Sequence, residues 1–292
     1  MLAAAGGDFF VTVNTILSVF HIKYCNTKFR FVNIALQKLM IKIPIANTLG
    51  CGIIHNMAEY IDAHCHYVPR GDITPVAGFM YNSARPSDWQ HAIAALSVRG
   101  GAGAIGVHPW YVDEIMPDWA AQMICLLRDN PNLMIGEIGL DRSRGNLDRQ
   151  MPVFLRQLEM ARELGRVAHI HCVRAWDVML NVLATHRMPP ILVIHGGVPS
   201  ADVVRAVMQH ANAYFSYGAV RSDKIAATIL ATPIDRILVE SDAASPAVAR
   251  TLLPRTVGEI AELSGHSATE MAETIYNNSY GIITNGGQIT QN

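Results

Sequence analysis

The chain has 292 residues, 50% hydrophobic and 16% charged, with a formal net charge of -1. That length supports a sizeable core and fits one barrel domain of roughly 200–250 residues. The near-neutral balance argues against a bulk polyanion binder, so any nucleic-acid contact has to be local. The five cysteines, an odd number without a CxxC pair, argue against a disulfide framework and for a reducing cytoplasm.

Residues 1–56 differ from the rest. They carry five basic residues, Lys23, Lys28, Arg30, Lys38 and Lys42, against the single acid Asp8. The apolar run over 9–22 is interrupted by Thr12, Asn14 and Thr15 and is too short to span a bilayer, so no membrane association is expected. No basic segment precedes it, as a secretory signal would require. We read 1–56 as a non-core extension, upstream sequence read through before a start at Met57, with the folded domain over 57–292.

From Tyr60 onward the chain alternates. Short apolar runs give strand candidates at 60–63, 74–80, 104–107, 133–138, 167–170, 191–194, 213–217 and 236–239. Helical periodicity marks 89–98, 112–129, 147–164, 176–185, 201–210, 247–263 and 268–283. Breakers such as Gly100-Gly101, Pro131, Gly165, Pro189-Pro190 and Pro233 sit between them. Eight strands alternating with helices predict an α/β fold, a TIM (β/α)8 barrel. An open doubly wound sheet is the alternative, but the glycine-rich phosphate loop it usually carries near the first strand is missing.

Ligand-type side chains recur at the ends of these strands: His64 and His66, His108, Glu137, His169 and His171, His195, then Glu240 and Asp242. That end of a barrel carries the active site. Converging so many histidines and carboxylates is costly unless they bind metal or move protons. His64 and His66, two apart on a strand, point to the same side. The ligand count suggests two metals, with His64, His66 and Asp242 around one and His171 and His195 around the other. Glu137 is placed to bridge them. Two ions about 3.5–4 Å apart can activate a shared water for attack on phosphorus or carbonyl carbon. Mixed histidine and carboxylate ligation admits Zn²⁺, Mn²⁺, Mg²⁺ or Fe²⁺. Asp242 is also a candidate general base, and Glu137 is the second catalytic candidate.

Several neighbours read as supports. Glu240 either orients a ligand imidazole or pairs a basic residue in the barrel. Asp141 reads as a hydrogen-bond partner or helix-start cap, and Asp62 as a brace for a histidine. His169, deeper in its strand, reads as a satisfied core histidine. Cys65 and Cys172 face away from the neighbouring histidines and read as packing. Trp110 reads as packing, with base stacking as the alternative.

These blocks resemble the TatD-like metal-dependent deoxyribonucleases, within the wider amidohydrolase-type barrels. The resemblance rests on Asp62-Ala63-His64-Cys65-His66, Gly106-Val107-His108-Pro109, Gly136-Glu137-Ile138-Gly139-Leu140-Asp141, His171, His195, Tyr214-Phe215-Ser216-Tyr217-Gly218 and Leu238-Val239-Glu240-Ser241-Asp242. It runs over about 60–283 and implies a TIM barrel and a cytoplasmic hydrolase of DNA phosphodiesters. It further implies DNA as substrate, single-stranded or at 3′ ends, two divalent ions (Mg²⁺, Mn²⁺ or Zn²⁺), and no obligate protein partner. By position it carries over His64, His66, Glu137, His171, His195 and Asp242 as metal ligands, and His108 and Arg174 as substrate-phosphate contacts. The chain departs from the family pattern at Val173-Arg174, where the basic residue is displaced by one. It departs again at His195-Gly196-Gly197-Val198, which lacks an aromatic, and at Asp242-Ala243-Ala244-Ser245-Pro246, where the proline comes late. All three lie on the substrate side. Hydrolysis of an aminoacyl-tRNA ester or a small-molecule amide, and a non-catalytic binding barrel, therefore stay open.

Overall fold

Eight strands, each followed by helix or turn, form the frame of the computed structural model, which describes residues 58–285. The extension read over 1–56 lies outside the described residues. The strands are β1 (Tyr60–Cys65), β2 (Val76–Asn82), β3 (Gly101–Ile105), β4 (Met134–Asp141), β5 (Ala168–Val173), β6 (Leu192–Ile194), β7 (Ala213–Tyr217) and β8 (Ile237–Val239). The helices are α1 (Trp89–Ala95), α2 (Trp119–Asp129), α3 (Leu147–Glu163), α4 (Trp176–Thr185), α5 (Ala201–His210), α6 (Asp223–Ala231), α7 (Pro246–Ser264) and α8 (Ala268–Asn285).

The strands pair in parallel and in sequence order, β1 to β8. Two backbone hydrogen bonds just beyond β8 bring the ring back to its start. Asp242 N donates to the His64 carbonyl at 3.0 Å, and His66 N donates to the Ala243 carbonyl at 2.8 Å. This is the TIM barrel that the alternation predicts.

Strand alternation divides the apolar residues into two cores. Ile61, Ala63, Met80, Ala102, Ala104, Met134, Val167, Val193 and Leu238 form one buried group filling the ring, reached from α8 by Ile282. A larger group packs the outer strand faces on the helices, with Phe79, Ile105, Ile138, Ile170 and Phe215 meeting Trp89, Leu127, Phe154 and Met179.

Each expected strand has a counterpart, and three differences from the expected elements are informative. β3 begins at Gly101, where the glycine pair reads as a turn. Here glycine serves packing: a Cβ on Gly103 would lie 2.0 Å from the Ala92 carbonyl oxygen, so α1 can press on β3 only if that position is bare. Helix α6 is not foreseen. It is short, and its start is set by Ser222, whose hydroxyl accepts from Ile225 N at 3.3 Å. Helix α2 begins later than expected, after a 3-10 turn at Pro109–Tyr111 that carries the residues following His108.

Candidate metal centre

The strand ends deliver seven side chains to one spot, with Glu137 in the middle. It is 3% exposed and uses its two oxygens on different sides. Its Oε2 faces His64 Nε2 at 3.3 Å and His66 Nε2 at 3.6 Å. Its Oε1 faces His171 Nδ1 at 2.7 Å, His195 Nε2 at 2.8 Å and His108 Nε2 at 3.3 Å. Asp242 Oδ1 completes the group at 3.2 Å from His66 Nε2 and 3.9 Å from His64 Nε2.

Local sequence explains this convergence. Between Asp62 and Cys65, three steps of β1 face two steps of β2, a bulge that breaks the alternation. Asp62 therefore does not brace a histidine. It accepts hydrogen bonds from Ser241 N at 2.8 Å, Ser241 Oγ at 2.6 Å and the Tyr67 hydroxyl at 2.9 Å. Its partner is thus the residue before Asp242, and it fixes the loop that presents Asp242. On β4, Gly139 has φ 151°, and a Cβ there would lie 1.9 Å from the His171 carbonyl oxygen. The close approach of β4 to β5 at His171 therefore requires glycine.

Backbone partners settle two tautomers. His66 Nδ1 lies 2.8 Å from the Asn82 carbonyl, which can only accept, so Nδ1 carries a proton; Nε2, where burial opposes a second proton but the Asp242 and Glu137 carboxylates favour it, is the nitrogen a metal would take. His108 is the reverse. Its Nδ1 accepts from Trp110 N at 3.1 Å, so the neutral ring carries its proton on Nε2, toward Glu137. His66 is set up to ligate, and His108 to donate a hydrogen bond.

The neighbours read as supports now have definite partners. Glu240 Oε1 accepts from Gly196 N at 2.7 Å and stands 3.6 Å from His195 Nδ1, so it orients the His195 turn. Asp141 Oδ2 stands 3.6 Å from His171 Nε2 and accepts from Trp110 Nε1 at 2.6 Å. Its Oδ1 caps the next turn by accepting from Ser143 N at 2.8 Å.

Charge follows burial and partners. Burial works to raise Glu137, but the imidazoles of His195 and His64 and the hydrogen bonds from His108 and His171 hold it well below the usual carboxylate range. Burial likewise acts to raise Asp242, but His66 and its neighbours hold it below its ordinary value. Burial opposes charge on His195, yet Glu137 and then Glu240 hold its proton well above the ordinary imidazole value. Burial lowers His64 and His108. It also pushes the Cys65 thiol up, and Cys172 up to about 12, which keeps both as packing groups.

The donors form three sets whose atoms lie within 4.8 Å of one another: His64, His66 and Asp242; His64, Glu137 and His195; and His108, Glu137 and His171. The first is the grouping expected from sequence. His171 and His195 sit together as expected, His171 Nδ1 lying 3.1 Å from His195 Nε2. A fit to metal is visible at His64. It is fully buried, and neither ring nitrogen has a hydrogen-bond partner among the described residues. Such a group is costly unless another species supplies the partner, and a cation held by His64 Nε2 would do so for that nitrogen.

Two further sequence expectations, on His169 and Trp110, need correction. His169 is buried beside His64, ring centroids 5.9 Å apart, but it is not satisfied, because neither of its nitrogens finds a partner among the described residues. Trp110 does not pack. It is 47% exposed, because the 3-10 turn after His108 lifts it onto the rim. Arg174 is exposed with φ 53°, and among the described residues no contact links its side chain to the centre. Its carbonyl accepts from Arg142 Nη1 at 2.5 Å. Sequence reasoning gave no role of its own to Ser241, which binds Asp62, or to Arg144, whose guanidinium lies over the Trp110 ring.

A family model described as TatD related DNase matches residues 61–284. The chain belongs to the TatD related DNase family. A 3′-5′ ssDNA/RNA exonuclease TatD from Erwinia billingiae is 28% identical over 186 residues, covering 60% of this chain and 71% of that protein. A human 3′-5′ RNA nuclease is 27% identical over 191 residues, covering 58% of this chain and 24% of that protein. The crystal structure of YjjV, a TatD homologue from Escherichia coli, has the same fold. Its TM-score is 0.68 at 21% identity, covering 77% of this chain and 97% of that one. This TatD-family chain is a metal-dependent hydrolase, and its histidine and carboxylate clusters could hold the metal. No described helix is long and apolar enough to cross a membrane.

Proposed function

We propose that the chain cleaves phosphodiester bonds of single-stranded nucleic acid, DNA in the first place, from 3′ ends, with two divalent ions drawn from Mg²⁺, Mn²⁺ or Zn²⁺. The observation that carries this reading is Glu137, whose two oxygens face two separate histidine groups, as a bridging carboxylate must. The names of the relatives, nucleases of ssDNA or RNA, favour this reading over an aminoacyl-tRNA esterase, a small-molecule amidase or a non-catalytic binding barrel.

His64, His66 and Asp242 would hold one ion, and His171 and His195 the other, with Glu137 between them. Bound there, a pair of divalent ions acidifies a water and neutralises charge on the phosphate. The chain's own groups do the rest. Asp242 is ionised and its side chain is 52% exposed, so it can take the proton of the attacking water and pass it to solvent. His108 donates its Nε2 proton to a non-bridging phosphate oxygen, where negative charge grows. Glu240 and Asp141 keep His195 and His171 in place. Arg174 stays a candidate for a phosphate further along the strand. The free thiols Cys65, Cys125 and Cys172 support a reducing location such as the cytoplasm.

The test is direct. The purified chain is assayed for bound metal and for release of nucleotides from 3′- and 5′-labelled single strands of DNA and RNA, with each ion in turn. Release from the 3′ end that is lost in Glu137→Ala and on chelation is the expected result. No metal binding, or cleavage that survives Glu137→Ala, would sink the assignment.

A further inference from the structure

Just outside the proposed centre, consecutive aromatics in the 3-10 turn after β3 each carry an arginine. The Arg144 guanidinium lies 3.8 Å from the Trp110 ring centroid, and Arg85 lies 4.9 Å from that of Tyr111. Trp110 and Arg144 are both exposed, and among the described residues Arg144 pairs with no carboxylate. An exposed tryptophan on a barrel rim leaves apolar ring surface in water. This one is also held rigidly. Its Nε1 donates to Asp141 at 2.6 Å, its backbone N donates to His108 at 3.1 Å, and its ring stands edge-on to the His108 ring with centroids 5.2 Å apart. Both anchors, Asp141 and His108, also face residues of the centre.

A flat, fixed, unhidden aromatic with an uncompensated guanidinium on it is suited to one kind of partner. That partner offers a π-face and a negative charge close together, as a nucleotide does. We infer that Trp110 with Arg144 forms a stacking platform for the nucleobase next to the phosphate under attack. Base–aromatic stacking is tolerant of base identity, because every base has a π-face. The platform therefore requires an unpaired base and sets no sequence preference. Single strands, whose bases can be splayed out, meet that requirement, and an intact duplex does not. Arg144 adds a cation for the phosphate on either side.

The proposal rests on nucleic acid being the substrate. It is tested by binding, so that it can fail separately from hydrolysis. A four-nucleotide DNA strand is compared with versions in which one abasic position is moved through it. Affinities are measured with the full chain in Ca²⁺. One abasic position is expected to weaken binding about tenfold, the scale of a single stacked base. Trp110→Ala should erase that difference, Trp110→Phe should retain part of it, and Arg144→Ala should weaken all strands alike. Equal affinity for every strand, no measurable affinity for any, or discrimination that survives Trp110→Ala each overturns the platform. Trp110-dependent discrimination without cleavage in Mg²⁺, Mn²⁺ or Zn²⁺ would instead overturn the hydrolytic reading and leave the platform standing.

Discussion

His66 and His108 both aim Nε2 at Glu137, at 3.6 and 3.3 Å, but their protons sit on opposite nitrogens. The Asn82 carbonyl takes the Nδ1 proton of His66, whereas the Trp110 amide occupies the Nδ1 lone pair of His108. In the neutral rings, one offers the centre a lone pair and the other a proton. Distance alone would make them equivalent. His66→Ala should therefore weaken metal binding at least about tenfold. His108→Ala should keep the metal while lowering kcat about 100-fold or more, the scale of a lost oxyanion donor. Metal analysis beside steady-state kinetics separates the two. Metal loss in His108→Ala would count against the assigned tautomer.

Metal uptake should release protons. Glu137 and Glu240, against the pull of burial, hold a proton on His195 well above the usual imidazole value, and a ligand nitrogen must be bare. Below that raised value the proton competes, so the metal dissociation constant should fall as pH rises, by up to about tenfold per pH unit for one proton. Calorimetry at neutral pH in buffers of different ionisation enthalpy reads the number released. Zero would show that His195 is already neutral.

Asp62 predicts an inverted pH response in the metal-free protein. Burial, only partly offset by the Ser241 and Tyr67 hydrogen bonds, pushes its carboxyl up to about 7. An unfolded aspartate titrates near 3.9. Between these values the folded state binds the extra proton, so stability falls as pH rises. The group's stabilising effect is complete below about pH 4 and is lost through about pH 7, on the order of 4 kcal/mol. Asn resembles the protonated acid. Asp62→Asn should cost little at pH 5, and at pH 8 it should melt at or above wild type. A variant equally damaged at both pH values would refute this.

Gly139→Ala tests the β4–β5 approach. A Cβ 1.9 Å from the His171 carbonyl cannot be absorbed by a side-chain rotation. The expected loss is about 2 kcal/mol or more, from overpacking together with a φ unsuited to a side chain. For a domain of this size that is a fall in Tm of roughly 4–8 °C. Metal affinity should fall with it, because His171 is displaced. Unchanged melting would mean that the strands can part without cost.

Much of this was legible in the sequence because two simple regularities carry it. Apolar runs alternating with helical periodicity specify a barrel, and polar residues at the ends of those runs specify its mouth. His64, His66, Glu137, His171, His195 and Asp242 need nothing more to be placed together. What was not legible depends on exceptions to the regularities. The bulge in β1 redirects Asp62 to Ser241, and no residue type announces it. The proton positions of His66 and His108 depend on backbone atoms, Asn82 O and Trp110 N, that carry no sequence signal. Trp110 looks like core by composition, and only the 3-10 turn brings it to the surface.

The hydrogen bonds of Asp62 to Ser241 and of Asp242 N to His64 O join residues 179 and 178 positions apart. One group of donors, His64, His66 and Asp242, thus draws on both extremes of the barrel. During synthesis the two histidines emerge early and wait for almost the whole domain before their carboxylate arrives. A chain cut short anywhere before β8 lacks that donor group. The closing seam therefore ties assembly of this donor group to completion of the barrel.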